Sequence, residues 1–383
     1  MLALKDYVAD MEEDKGNTVR FHIYGTGIVG VSVYVALKTL YHVTPVSFLI
    51  TNGKNNPAQI EQIPVQEAAG ASLGEDLILV AVPVEHHESI GAKLHDLGVS
   101  ENSIIFVDSA LENHIMEDYY ASLPAFETAG QYLKGRQTSA GSVGGDNSCG
   151  EKAGYHQSDI CIYQAKCHVD RPLINGSVEC AYICPIQVGA DLTEQSVADL
   201  KDNTGDHISW KNHDYCELTA TYYAWKNSTA TYKGLYHYRR VFALNDAEIE
   251  RLLGDVDVIL PYPTIHLPNI SLQHSRYISE PEWRAMRRGV EAYAPSYVAD
   301  FDRIFSDRYF YNFNMLVAKA AVFDDYARWL FGILARTEEL IAEEGIVTTK
   351  RYAGYLGENL TTLYFRRNRN HLKIVHAGKL QLE

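Results

Sequence analysis

The chain has 383 residues, 46% of them hydrophobic and 22% charged, a globular composition with room for two domains. Its 34 Lys+Arg against 49 Asp+Glu leave a formal charge of −15, which argues against nonspecific binding to nucleic acid or an anionic membrane, since both need a basic field. An anionic ligand must therefore be met by a local basic cluster.

No apolar run reaches the ~20 residues of a membrane span. Residues 1–16 are acidic and lack the basic-then-apolar layout of a signal peptide. The six cysteines, at 149, 161, 167, 180, 184 and 216, do not form a disulfide framework in a chain of this length. Cys180 and Cys184 have no second ligand pair at zinc spacing, so buried thiols in a reducing cytoplasm are expected.

Residues 2–14 read as an acidic helix and 19–24 as a strand. Gly25-Thr26-Gly27-Ile28-Val29-Gly30 and a helix over 31–39 follow. This strand, glycine turn, helix order belongs to a dinucleotide-type fold. Gly25, Gly27 and Gly30 are candidates either for approach to a phosphate or for packing a helix on a sheet. The second strand, 46–51, ends in Thr51-Asn52-Gly53, without the acidic residue that an NAD ribose usually meets. Strands at 77–82 and 103–107 continue the alternation, with His86 and His87 in the first turn of a helix. Residues 111–136 read as helical, and the Gly/Ser-rich stretch 139–154 as a linker.

A second α/β region opens with a strand at 160–165, followed by His168, and then an apolar segment carrying Gln187 and Gly189. Glu217 is a second carboxylate candidate after Glu358, but with Asp214 it has the spacing of a capping box, which explains it without catalysis, ahead of a helix with Tyr215, Leu218, Tyr222 and Trp225 on one face. Next comes Gly234-Leu235-Tyr236-His237-Tyr238-Arg239-Arg240: a buried strand whose carboxyl end carries an imidazole, a phenol and two guanidiniums. Ligands of open α/β sheets bind at such ends, and paired arginines suit a diphosphate. Asp255-Val256-Asp257 has the spelling of a metal-binding Asp-x-Asp but precedes its strand, and reads as a turn. Residues 310–318 read as one strand placing Asn312 and Asn314 on the same side, where they could hold sugar hydroxyls. Phe323, Tyr326, Leu330, Ile333 and Leu334 trace the buried stripe of a long helix over 322–344. Leu356, Leu360 and Leu363 do the same for a helix over 351–365, with Glu358 roughly opposite them.

Several blocks occur in order: Tyr215-Cys216-Glu217-Leu218-Thr219, Ala224-Trp225-Lys226-Asn227, the His-Tyr-Arg-Arg block, Asn312-Phe313-Asn314-Met315, Trp329-Leu330-Phe331 and Gly354-Tyr355-Leu356-Gly357-Glu358. Together, over about residues 160–378, the chain resembles a bacterial family of capsular and exopolysaccharide glycosyltransferases that includes galactofuranosyltransferases. The first domain resembles Rossmann-like modules of other surface-polysaccharide enzymes. The resemblance implies a doubly wound domain at 1–137, a linker at 138–157 and a GT-A-like domain at 158–383. It also implies transfer of a hexose from a UDP-sugar, with inversion, to a growing polysaccharide or lipid-linked oligosaccharide in the cytoplasm, with peripheral membrane association left open. His168, Gln187, Gly189, His237, Arg239 and Arg240 are then expected on the donor, Asn312 and Asn314 on the acceptor, and Glu358 as base. A divalent ion, Mn or Mg, is compatible with this, although no motif demands one. The competing readings are an NAD(P)-dependent sugar-nucleotide oxidoreductase or epimerase, and a non-catalytic carbohydrate-recognition protein.

Overall fold

A computed structural model describes residues 20–54, 56–140, 159–173, 178 and 180–382. The helix expected at 2–14 and the linker residues 141–157 lie outside them. Residues 138–140 end the helix Ala129–Ala140. The chain divides into two compact units, Met1–Pro124 with Thr264–Pro268, and Ala125–Pro263 with Asn269–Glu383.

The first unit holds strands β1 (Phe21–Tyr24), β2 (Ser47–Ile50), β3 (Gln59–Ile60), β4 (Ile63–Glu67), β5 (Leu77–Val80) and β6 (Ile104–Phe106). They form one sheet in the order β3-β4-β2-β1-β5-β6. All neighbours are parallel except β3 and β4. Strands β1 and β2 are buried throughout, as expected of parallel strands covered on both faces. Gly25 takes φ +120°, and a Cβ on Gly30 would lie 2.1 Å from the Gly25 carbonyl oxygen. Both glycines are thus required to seat the helix Ile28–Tyr41 against the turn, whereas the side of Gly27 is open. At the end of β2 the acidic group comes from β4: the Glu67 carboxylate accepts from the Gly53 N–H at 2.8 Å. His22 lies between Ser47 Oγ (2.8 Å) and Asp76 Oδ2 (3.1 Å), a Ser-His-Asp order. Its serine is wholly buried, so this network braces the sheet and offers no nucleophile.

The second unit contains β7 (Ile160–Lys166), β8 (Ile183–Gln187), β9 (Leu200–Lys201), β10 (Tyr232–His237), β11 (Arg240–Phe242) and β12 (Val258–Pro261). After β13 (Thr264–Ile265), which is assigned to the first unit, come β14 (Tyr309–Phe310), β15 (Leu316–Lys319), β16 (Ile374–Ala377) and β17 (Lys379–Gln381). The sheet order is β16-β12-β15-β10-β7-β8-β9, with β11 on β10 and β17 on β11. Along that path β15 runs against its neighbours, and β10 lies between β15 and β7.

Strand β10 alternates. Tyr232 and Tyr236 join the core under the helices Ala129–Ala140 and Asp246–Leu253. Leu235 joins the core under Ala320–Glu343 and Tyr352–Asn368. The period of two puts Lys233 and His237 on this second side; Lys233 is buried against Asp324, 2.7 Å away. The stripes expected on both long helices are enclosed.

Residues 310–318 are not one strand. Between β14 and β15 the chain turns through Phe313 (φ 71°) and Asn314 (φ 50°), so the shared side expected for Asn312 and Asn314 is lost. The apolar alternation is genuine, but Asn314 bonds to Glu217 and to the Gly354 carbonyl and draws the backbone into the turn.

Candidate active site

Strand β10 does not simply end in cations. Tyr238 and Arg239 form a two-residue connection, and Arg240 opens β11 opposite His237. Neither connecting residue takes the positive φ usual in such tight hairpins, so the tip is fixed from outside. The Gln164 amide donates to the Tyr238 carbonyl at 3.1 Å, the Leu382 N–H donates to the Arg239 carbonyl at 2.8 Å, and β17 pairs with β11.

At this tip the Nε atoms of Arg239 and Arg240 are buried without an acceptor among the described residues. The Arg240 guanidinium lies 4.3 Å from the centre of the Phe313 ring. Burial first, and then repulsion from Arg239, lower the pKa of Arg240 to about 10. Two adjacent guanidiniums, each with a buried Nε that lacks an acceptor, are costly unless an anion completes them.

Two carboxylates face this tip. Glu217 is 8% exposed and accepts from the Asn314 amide at 2.7 Å. His237 Nε2 lies 3.5 Å from its Oε1, too far for a directed hydrogen bond. Burial works to raise this carboxyl, but the charge of His237 and the Asn314 bond outweigh it and hold the pKa at about 2. Glu358 accepts from the Phe313 N–H at 2.7 Å, and burial, with the nearby Glu217 charge, pushes it up to about 8. One carboxylate is permanently ionised and the other is poised near neutrality, the split that separates acid–base roles.

The capping box expected at Asp214 and Glu217 does not form. Asp214 lies inside the short helix Asn212–Tyr215, the chain breaks at Cys216 (φ 51°), and Glu217 turns into the site. Arg351 (φ 65°) places its Nε 3.0 Å from Cys216 Sγ. Of the six non-glycine residues with positive φ among the described residues, Cys216, Phe313, Asn314 and Arg351 all surround this centre. Backbone held in such sparsely populated conformations concentrates at functional sites. Gly357 lets the helix Tyr352–Asn368 come close: its Cβ would lie 2.6 Å from Leu218 Cδ1.

The structure therefore gathers His237, Arg239, Arg240 and Glu358, and adds Glu217, Arg351 and Asp170. Asp170 follows β7 and accepts from the Cys167 N–H at 2.6 Å; burial raises its pKa while His237, Arg239 and Arg351 oppose the shift. His168 stands in the same turn, half-buried. Other expected ligands are committed elsewhere. Gln187 is wholly buried, donating to the Gln195 carbonyl and accepting from the Val197 N–H. Gly189 (φ 67°) turns the chain against Asn212, and its N–H donates to the buried Asp202. Both shape the loop after β8 and present no side chain to a donor. Asn312 and Asn314 are enclosed, so neither is open to an acceptor hydroxyl. Asp255-Val256-Asp257 is a turn, as its position suggests. Lys319 and the Lys373 N–H occupy the Asp257 oxygens, and Lys373 Nζ lies 2.6 Å from Asp255. It does not fit a metal, and no group of three or more His, Cys, Asp or Glu among the described residues does so elsewhere.

Glu217 is a carboxylate candidate in the sequence, but its helix-cap spacing offers a role outside the site that the fold does not bear out. Arg351 and Asp170 carry no local signal, because each reaches the site only through the fold.

Compared with known proteins, the chain has a solved structural neighbour, the apo form of the bifunctional glycosyltransferase WbbM. The two are 26% identical with a TM-score of 0.50, and the match covers 59% of this chain and 45% of WbbM. This chain thus spans less than half of that protein's length. No curated protein matches it. Residues 168–369 match the family described as Domain of unknown function (DUF4422), a span holding every site residue named above from His168 to Glu358. With more than half of its length matched, the chain belongs to the DUF4422 family.

Proposed function

We propose that the second unit is a GT-A-like glycosyltransferase that moves a hexose from a UDP-sugar to a glycan acceptor, with inversion. The observation that carries this reading is the pair of buried, unpaired arginine Nε atoms at the carboxyl end of β10, facing a poised carboxylate. The likeness to WbbM supports glycosyl transfer in general.

In this reading Arg239, Arg240 and His237 hold the diphosphate, and His168, beside the carboxyl end of β7, lies toward the nucleoside. The acceptor hydroxyl gives its proton to Glu358 as its oxygen bonds to the anomeric carbon. The bond from that carbon to the diphosphate breaks, and its electron pair leaves on the phosphate oxygen. The arginines stabilise this charge most where it is greatest, in the transition state. Glu217 stays ionised and holds His237 in place. The acceptor is a growing surface polysaccharide or a lipid-linked oligosaccharide, and galactofuranose is one candidate for the hexose. The first unit is read as Rossmann-like. Among the described residues no helix is long and apolar enough to cross a membrane.

A thermal-shift and UDP-release screen of UDP-hexoses, with and without manganese, tests the proposal. A bound donor stabilises the folded chain by mass action, by about 2.7 kcal/mol at a hundredfold excess over Kd, and so raises the melting temperature. At least one donor is expected to stabilise the chain and to release UDP. If no nucleotide sugar does either, the reading fails.

A further inference from the structure

Near Glu358 the same helix carries Tyr355, which packs at the edge of the core and takes no part in the diphosphate cradle. Positions 355 and 358 stand at i and i+3 on the helix Tyr352–Asn368, and Arg351 is the residue that caps its N-terminus. Leu356, Leu360 and Leu363 form the separate, enclosed stripe. Arg351 is exposed, Tyr355 and Glu358 are half-buried, and the Glu358 carboxylate is bonded to the Phe313 amide. Tyr277 joins from another segment, its ring centre 5.3 Å from that of Tyr355 and the planes 35° apart. Both residues are half-buried.

Arg351 lies over the Tyr355 ring at 5.9 Å, with its Nε anchored on Cys216. No carboxylate of the described residues is within ion-pair range of it, and its terminal nitrogens remain available. A guanidinium fixed at one nitrogen, with no carboxylate in direct contact at the others, can receive a carboxylate or a phosphate. A tilted pair of aromatic rings offers the apolar, rigid surface on which the C–H face of a sugar ring rests.

We infer that Arg351, Tyr355 and Tyr277 form the acceptor subsite, which takes a sugar bearing an anionic group. The sugar ring lies on the two tyrosines, the anion meets Arg351, and a hydroxyl points inward to Glu358. This rests on the proposed transfer reaction for its last step alone; the binding surface is independent of it. It takes the place of Asn312 and Asn314, whose side chains are enclosed.

Three probes test it by saturation-transfer NMR on the full chain, with and without UDP: methyl β-galactoside, methyl β-glucuronide and methyl galactoside 6-phosphate. At least one anionic glycoside is expected to bind about fivefold tighter than the neutral one, and the tighter of the two identifies the anion. Arg351→Gln erases that preference. Tyr355→Ala weakens all three about fivefold, Tyr277→Ala does the same, and Tyr355→Phe has little effect. UDP affinity, measured separately, stays at the wild-type value in the tyrosine variants. A wild-type chain that binds none of the probes, or prefers the neutral glycoside, overturns the inference. So does loss of UDP affinity instead of glycoside affinity in Tyr355→Ala. Glycoside binding as expected, in a chain that does not bind UDP, refutes the donor reading and leaves the subsite standing.

Discussion

Arg240→Ala is expected to remove most turnover while leaving the protein as stable as before, or more so. The Arg240 Nε is buried with no acceptor among the described residues, and Arg239 repels the guanidinium. In the free protein such a group costs about 1–3 kcal/mol of desolvation. Alanine removes that cost, and each kcal/mol gained moves the melting temperature by about 2–4 °C in a chain of this size. Donor binding goes the other way. A charge-assisted hydrogen bond contributes ~1.5–3 kcal/mol, so UDP affinity is expected to fall about 10–100-fold. Charge on the departing diphosphate peaks in the transition state, so kcat should fall a further ~10²–10³-fold. Arg239→Ala should act in the same direction. Lysine at either position should restore little, because a point charge does not reproduce the planar fork. Calorimetric UDP titration, steady-state kinetics and a thermal melt together check this. Unchanged UDP affinity in a folded Arg240→Ala variant would contradict it.

Glu358→Gln should lower kcat by about 10²–10⁴-fold, the usual range for a general base, with UDP affinity little changed. Glutamine keeps a carbonyl for the Phe313 N–H and so preserves the local bond. The pH dependence follows from the raised carboxyl. A base must be ionised, so kcat/KM of the wild type should climb through about pH 8 and level off above it. That limb should vanish in Glu358→Gln. Glu217→Gln should move it to lower pH, because one of the charges that raises Glu358 is gone. Stability has the opposite sign. The folded pKa near 8 lies above the unfolded value of 4.5, so the folded state keeps a proton that the unfolded chain releases between these values. Wild-type stability therefore declines as pH rises through that window. Glu358→Gln should gain over the wild type progressively from about pH 4.5 to about pH 8, as read by thermal melts in a buffer series. A wild-type activity limb at ordinary carboxylate pH, or full activity in the variant, would remove Glu358 from the role of base.

What could be read in the sequence is what local pattern controls. The apolar spacing of residues 323–334 and 356–363 fixed two buried helices, and a run of glycine, apolar residues and cations announced the end of β10. Gly25 and Gly30 were legible as a turn, and their steric need is plain once the helix is seen against it. What could not be read depends on residues far apart in the chain. Glu217 has the spacing of a helix cap, and only Asn314, 97 positions away, turns it into a buried counter-charge. The alternation in Phe310–Ala318 hides a turn at Phe313 and Asn314, because a non-glycine residue with positive φ leaves no local mark. Gln187 and Gly189 occupy the expected strand end, but loop closure consumes their hydrogen bonds. The two-residue tip at Tyr238 and Arg239 lacks turn residues altogether and is held by Gln164 and β17.

The account rests on where a nucleotide diphosphate binds, and a crystal structure of the chain with UDP tests this most directly. Phosphate oxygens about 2.7–3.2 Å from the Arg239 and Arg240 guanidinium nitrogens are the predicted result. A nucleotide bound elsewhere, with the tip of β10 unchanged and empty of anion, would contradict it.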